Sequence, residues 1–251
     1  MLNLKGQRAL VTGGGGGIGA ATSLYLGRAG AVLSIVDRVG ESAERVAASL
    51  RAEGIKADVL ALDVTDEDAV NAAFSDLDAA GGVDILVNNA GISIRKSLYD
   101  LSLAEWDQVF AVNVTGAFLC TRAAARGMKA RRHGVIVNIA SIMGVSGGAT
   151  YPNPSYQASK GALVNFTRAL AIELAPFGIR ANAVAPTWVR TEFIGELSKS
   201  AEGLDAISAL MPLRRIAEPE EVAAAVLFLA SPAASMTTGA ILPVDGGFLA
   251  Q

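Results

Sequence analysis

The amino-acid sequence predicts an α/β fold: one domain over residues 1–251, with a doubly wound parallel sheet covered by helices on both faces. Three observations predict it. Short apolar runs alternate along the chain with helical stretches of ten residues or more, the pattern of parallel strands joined by right-handed crossovers. A run of five glycines, Gly13 to Gly17, stands between the first apolar strand and the first helix, where flexible linkers have no place. Hydrophobic residues make up 51% and charged residues 18%, enough for a substantial core in a chain of 251.

The elements follow in order. Arg8-Ala9-Leu10-Val11 reads as the first strand, and a helix follows from Ile18 to Arg28 with Ala21, Leu24 and Tyr25 turned inward. Glycine between them lets backbone approach a phosphate, and the free N–H groups of the helix start bind the anion. That arrangement points to a dinucleotide. The second strand, Ala31 to Asp37, ends in an acid 18 positions beyond Gly19. A carboxylate at that spacing accepts from both ribose hydroxyls and repels a 2′-phosphate, so Asp37 favours NAD over NADP. Arg38 opposes it, since an arginine there can face a phosphate or stack on adenine.

Glu41 to Arg51 reads as a helix, Lys56 to Leu62 as a strand with Asp63-Val64 at its carboxyl end, and Asp66 to Ala79 as a helix. Asp84 to Val87 is a fourth strand leading into Asn88-Asn89-Ala90-Gly91. Leu103 to Lys129 reads as one long helix with Asn113 inside it. Asparagine competes for backbone hydrogen bonds, so its presence there needs a kink or a role in a site. Gly134 to Ser141 is a fifth strand ending in a hydroxyl. Tyr156 opens a helix to Ala175, Ile179 to Ala185 is a strand ended by Pro186, Ala217 to Glu221 opens another helix, and Ala240 to Val244 is the last strand.

The stretch Ser155-Tyr156-Gln157-Ala158-Ser159-Lys160 carries the chemistry. A tyrosine and a lysine four apart share one face of a helix. A free phenol, with a pKa of about 10, is too weak a base at neutral pH, and a cation beside it favours the phenolate. The pair can then exchange a proton with an alcohol or ketone.

Composition excludes other classes. Net charge is −3, and the sole basic cluster, Lys129, Arg131, Arg132 and His133, reads as a helix C-terminus meeting cations rather than as a nucleic-acid surface. The single cysteine, Cys120, lies in an apolar run and reads as a buried thiol, which fits a reducing cytoplasm. No His or Cys cluster suggests a metal. Met1 to Gly6 is too short and polar for a signal peptide. The two long uncharged stretches, His133 to Ser159 and Val222 to Gly246, are too broken by Pro, Gly, Ser and Thr to span a membrane.

Taken together, these motifs resemble the short-chain dehydrogenases/reductases over nearly the whole chain: Thr12-Gly13-x-x-x-Gly17-Ile18-Gly19, Asp63-Val64, Asn88-Asn89-Ala90-Gly91, Asn113, Ser141, Tyr156-x-x-x-Lys160, and Thr238-Gly239 through Val244-Asp245-Gly246-Gly247. The resemblance implies a single-domain Rossmann fold of seven parallel strands with three helices on each side. It implies a homotetramer or dimer, often built on the helix of Tyr156 and Lys160. It gives Tyr156 the general acid/base role. Lys160 would bind the nicotinamide ribose and lower the Tyr156 pKa, Ser141 would bond the substrate oxygen, and Asn113 would hold a water linking Lys160 to solvent. Cofactor contacts are implied at Gly13, Gly16, Gly17, Ile18, Gly19, Asp37, Arg38, Asp63, Val64, Asn89, Ala90, Gly91, Pro186, Val189 and Thr191, besides Tyr156 and Lys160.

Two departures bear on substrate. Thr187 follows Pro186 where the family usually has glycine. The 15 positions from Ser141 to Tyr156 are about two more than usual, in Gly147 to Pro154. A similarly lengthened loop occurs among members acting on polyols. Trp188 and Phe193 to Met211 are expected to form a substrate lid within about residues 187–212, with Met143, Tyr151, Asn153 and Trp188 lining the pocket. The expected function is hydride transfer between NAD and a secondary alcohol or its ketone, a polyol or small cyclic alcohol. The alternatives are an NADPH-dependent 3-oxoacyl-carrier-protein reductase, with Arg95 and Lys96 facing an acidic partner, and a nucleotide-binding scaffold without catalysis.

Overall fold

The computed structural model describes residues 2–147, 151–198 and 200–251, with the side chains of residues 196–198 and 201 outside the description. Seven strands form one sheet in the order β3-β2-β1-β4-β5-β6-β7, with every neighbouring pair parallel. They are β1 (Arg8–Thr12), β2 (Val32–Asp37), β3 (Ala57–Ala61), β4 (Ile85–Asn88), β5 (Gly134–Ile139), β6 (Ile179–Pro186) and β7 (Ile241–Val244). The expected strands all form, with ends displaced by one or two residues. The strands read as almost continuous apolar runs because both faces are covered. Helices α1 (Gly17–Arg28), α2 (Gly40–Ala52) and α8 (Pro219–Ala230) cover one face through Leu26, Ala47 and Val226. On the other face lie α3 (Glu67–Ala79), α5 (Ala117–Arg131) and α6 (Pro154–Leu174), through Phe74, Leu119 and Leu170. The expected three helices on each side are present.

The order reverses between β1 and β4, so the connections leaving those two strands part to opposite faces. The cleft opened at their carboxyl ends is where doubly wound sheets bind ligands.

One expectation is corrected. Leu103 to Lys129 is not one helix. Helix α4 (Leu103–Phe110), capped reciprocally by Ser102 and Glu105, runs into a π-helical turn, Ala111–Gly116, before α5 begins. The wider turn contains Asn113, whose side chain bonds outside the helix, as described below. Gly116 ends it against Val64: a Cβ there would meet the Val64 side chain at 2.6 Å. Helix α6 also starts earlier than expected, with Pro154 in its first turn, where its missing N–H costs nothing. A short α7 (Ala201–Ser208) lies beyond the sheet.

The exposed basic cluster is spent at the α5 terminus. Arg131 donates to Val83 O, Arg132 to Pro176 O, and Lys129 stands 4.3 Å from the centre of the Phe177 ring. Cys120 is fully buried, and burial pushes its thiol up to about 12. Among the described residues no helix is long and apolar enough to cross a membrane, and no cluster of His, Cys, Asp or Glu could hold a metal.

Buried amides tie the two central strands to the helices beneath them. Asn88 Nδ2 donates to Asn138 Oδ1 (2.8 Å) and to Thr121 Oγ1 (2.9 Å), and Asn138 Nδ2 donates to Thr167 Oγ1 (2.8 Å). All four side chains are at most 4% exposed. A buried polar group left without its partner costs about 1–3 kcal/mol. Asn138→Ala deprives Asn88 at once, and chemical denaturation should show a loss of about 1–3 kcal/mol or more. An unchanged midpoint would mean that the amides do not bear on stability.

Candidate active site

A cavity of about 860 Å³ opens along the carboxyl ends of the strands. At one end the glycine run crosses from β1 to α1. Gly13 and Gly17 adopt left-handed backbone, φ +62° and +51°, which side-chain-bearing residues rarely do. Gly19 has no room for a Cβ, which would stand 2.2 Å from Gly13 O, whereas Gly16 faces open space. Gly16 precedes α1 and no side chain caps that helix start. Its first N–H groups therefore point outward without partners of their own, the anion-binding arrangement of a phosphate cradle. A nicotinamide dinucleotide fits these residues.

Asp37 lines the cavity beside the glycine run. Its Oδ2 accepts from Gly15 N and its Oδ1 from Val39 N, both at 3.0 Å. Each carboxylate oxygen keeps a lone pair, so two acceptor positions remain for a diol. Gly15 is required beside it: a Cβ would stand 2.8 Å from Asp37 Oδ2. Ser42 and Arg45 line the same end and were not read from the sequence. Their signal is weak, because they lie on an ordinary amphipathic helix.

The predicted cofactor residues divide. Gly13, Gly16, Gly17, Ile18 and Asp37 line the cavity. So do Asn89, Ala90 and Gly91 beyond β4, and Pro186, Val189 and Thr191 beyond β6. Gly19 supports the loop from beneath. Arg38 is exposed, Asp63 bonds its own turn through the N–H and hydroxyl of Thr65, and Val64 is buried against Gly116; these three are not among the lining residues. Thr12 links β1 to the end of β4 at the switch point, its Oγ1 accepting from Asn89 N (3.0 Å) and Ala90 N (3.1 Å).

At the other end Ser141, Tyr156 and Lys160 line the wall. Asn113 locks that wall. Its Oδ1 accepts from Ile92 N (2.8 Å), and its Nδ2 donates to Ile92 O (3.0 Å) and to Ser159 Oγ (2.9 Å). Ser159 Oγ in turn donates to Tyr156 O at 2.7 Å. The π turn, the β4–α4 loop and α6 are thereby held together. Ser159 was missed because a serine inside a helix carries no signal of its partner.

Lys160 is 4% exposed, and its Nζ donates to Ile139 O at 2.6 Å, 5.6 Å from the centre of the Tyr156 ring. Burial pulls it down to about 8. Burial raises the Tyr156 hydroxyl, while a hydrogen bond with the Ser141 side chain and the charge of Arg95 lower it. Those two groups oppose the burial, and Lys160 engages the main chain of β5.

Met143, Tyr151, Asn153 and Trp188 all line the cavity. Asn153 Nδ2 donates to Ser93 Oγ at 2.7 Å. Tyr151 and Trp188 pack on a small apolar cluster of Ile194, Ile207, Met211 and Ile216, which joins the segment 187–212 to the lengthened loop. Residues 148–150 of that loop, and Lys199 of the segment, lie outside the described residues. Thr187 is nearly buried, and its hydroxyl donates to Met211 Sδ at 3.3 Å. It therefore anchors this segment. Arg95 and Phe193 also line the cavity.

The family model described as enoyl-(acyl carrier protein) reductase matches residues 13–249. The chain is 44% identical over 248 residues to a galactitol 2-dehydrogenase (L-tagatose-forming) of Cereibacter sphaeroides, covering 99% of this chain and 97% of that one. It is 46% identical to a cis-4-hydroxycyclohexanecarboxylate dehydrogenase of Sinomonas cyclohexanicum, over 96% of each. A crystal structure of a gluconate 5-dehydrogenase from Burkholderia cenocepacia J2315, in complex with NADP and tartrate, superposes with a TM-score of 0.95 at 38% identity. It covers 100% of this chain and 98% of that one.

The buried lysine gives stability a pH dependence. Below about pH 8 the folded state carries the cost of a buried ammonium. Between pH 8 and 10.5 the unfolded chain holds the proton that the folded chain has lost, so stability rises with pH. Without cofactor, the stability difference between the parent chain and Lys160→Met should shift toward the parent by about 3 kcal/mol across that window. Denaturation at several pH values checks this. A flat difference would mean that Lys160 titrates normally.

Proposed function

We infer the function from one premise: the chain belongs to the short-chain dehydrogenase/reductase family. It is a nicotinamide-dependent oxidoreductase acting on CH–OH groups. The bound cofactor supplies the hydride acceptor, and the protein supplies position and electrostatics. The observation that carries the residue assignment is the convergence of Ser141, Tyr156 and Lys160 on one wall of the cavity that the glycine cradle also lines, with Asn113 buried behind that wall.

We assign their roles as follows. Tyr156 Oη takes the hydroxyl proton of the alcohol, and returns it in the reverse direction. Ser141 Oγ, within hydrogen-bond reach of Tyr156, turns its single proton to the reacting oxygen, on which charge would otherwise build. Lys160 holds the nicotinamide ribose and adds positive charge beneath the tyrosine. Asn113 fixes the wall, and its Oδ1 keeps one lone pair for a water that passes protons between Lys160 and solvent. Segment 187–212 serves as the lid over the substrate. The exposed Ile172 of α6 and Phe118 of α5 support assembly into a dimer or tetramer through those helices.

NAD is the preferred cofactor in this reading, supported by the Asp37 carboxylate at the adenosine end. The related gluconate 5-dehydrogenase bound NADP, so both cofactors belong in the assay. A polyol or small cyclic alcohol is the substrate class, supported by the galactitol and hydroxycyclohexanecarboxylate relatives. The carrier-protein reductase reading needs a basic surface beside the pocket. It is weakened at Lys96, which is paired with Glu105 at 2.5 Å.

The first assay follows NADH formation by absorbance with polyols and cyclic alcohols, with NADP and the reduction of acetoacetyl thioesters run alongside. Reduction of the thioester with NADPH alone would overturn cofactor and substrate class together. Tyr156→Phe should lower kcat/KM by about 10²–10⁴. Turnover at the parent rate would remove Tyr156 from the mechanism. Asp37→Ala should weaken NAD binding by about tenfold or more, the worth of hydrogen bonds to a charged group, and relax the rejection of NADP. Unchanged affinities for both would rule out the role assigned to Asp37.

A further inference from the structure

Arg95 stands in the loop between β4 and α4, and its side chain forms part of the cavity wall at the Tyr156 end. Its Nη1 donates to Ile194 O (2.9 Å) and its Nη2 to Phe193 O (3.1 Å), both on segment 187–212. The Phe193 ring lies 5.9 Å from the Tyr156 ring, centre to centre, and the Arg95 charge acts on the Tyr156 hydroxyl. The guanidinium thus lines the same end of the cavity as Tyr156.

Among the described residues its charge is not balanced. Neighbouring cations have acids: Lys96 is paired with Glu105, and Arg190 with Glu218 at 2.9 Å. Among the described residues no carboxylate pairs with Arg95, and its partial burial pulls its pKa down. Glu192, the acid nearest in sequence to the lid carbonyls it holds, is exposed. Of five guanidinium N–H groups, the two carbonyls take two, leaving three. A cation with donors to spare, facing a substrate cavity, favours an anion there. A single planar fork matches a carboxylate, whereas a phosphate dianion would want further positive charge.

We propose that Arg95 is an anion subsite of the substrate pocket, and that the alcohol this enzyme takes carries a carboxylate. The proposal rests on the alcohol-oxidising reading and narrows it: within polyols and cyclic alcohols, acid-bearing members are preferred over neutral ones. Because the same guanidinium holds the Phe193 and Ile194 carbonyls, a carboxylate seated on it also joins the lid to the β4–α4 loop.

The test is a binding measurement, independent of turnover. Cyclohexanecarboxylate and cyclohexanecarboxamide have nearly the same shape and differ in charge. Each is titrated by calorimetry into the protein saturated with NAD. The parent should bind the carboxylate on the order of tenfold more tightly, and Arg95→Met should bring the two within about twofold of each other. Arg95→Lys, which keeps the charge but loses the fork, should fall between. Melting curves establish that each variant is folded, and Arg95→Lys carries the comparison with the parent if Arg95→Met is not. Equal affinities in the parent, or a preference that survives in Arg95→Met, would overturn the subsite. A uniform loss for both probes would also overturn it, reducing Arg95 to a latch on the lid. The two levels fail separately. Absence of alcohol turnover with the carboxylate preference intact removes the catalytic reading alone, and turnover without the preference removes the subsite alone.

Discussion

The site depends on a clamp of four hydrogen bonds around Asn113. One amide side chain satisfies both main-chain groups of Ile92 and reaches Ser159, which bonds the carbonyl of Tyr156. Three segments remote in sequence therefore move as one body: the β4–α4 loop, the π turn and the start of α6. The helix gives up regular α geometry over Ala111–Gly116 around this residue. A π turn within an α-helix is uncommon and often coincides with a functional site.

The same wall shows how burial and charge are set against each other. Lys160 and the Tyr156 hydroxyl are both disfavoured as ions by their surroundings. The carbonyl at the end of β5 offsets part of that cost for the lysine, and Ser141 and Arg95 do so for the tyrosine. Two groups that burial pushes toward their neutral forms then sit side by side on the cavity wall, the kind of perturbed pair from which proton transfer to a substrate oxygen is tuned. The sheet supplies the rigidity. Its central strands are bound by the Asn88 and Asn138 amides below the site and by Thr12 at its edge.

The end of the cavity by Tyr156 is less regular than the glycine end, and differently built. The glycine cradle is shaped by backbone, with Gly13, Gly17 and Gly19 each answering a conformational or steric demand. The end by Tyr156 is made of side chains on loops: Tyr151, Asn153, Trp188 and Arg95, with Thr187 and Met211 bonded across the segment 187–212. Loops on a rigid scaffold are where specificity changes without disturbing the fold.

The sequence alone determined the order of strands and helices, the parallel sheet, the glycine cradle, Asp37 at the end of β2, and the positions of Ser141, Tyr156 and Lys160. Those features follow from local patterns: apolar periodicity, turn residues, and a four-residue spacing on one helix. Tertiary structure decided the rest. That Asn113 would break a helix to hold Ile92 and Ser159 was legible only as an unexplained asparagine. That Lys160 would engage Ile139 O, leaving Ser141 and Arg95 to favour the tyrosinate, depends on distances between segments far apart in sequence. Arg95 read from the chain as half of a basic surface pair with Lys96. Folding separated them, turning one to Glu105 and the other into the cavity wall. Direction is lost in a sequence wherever a loop has no periodicity to betray which way a side chain faces.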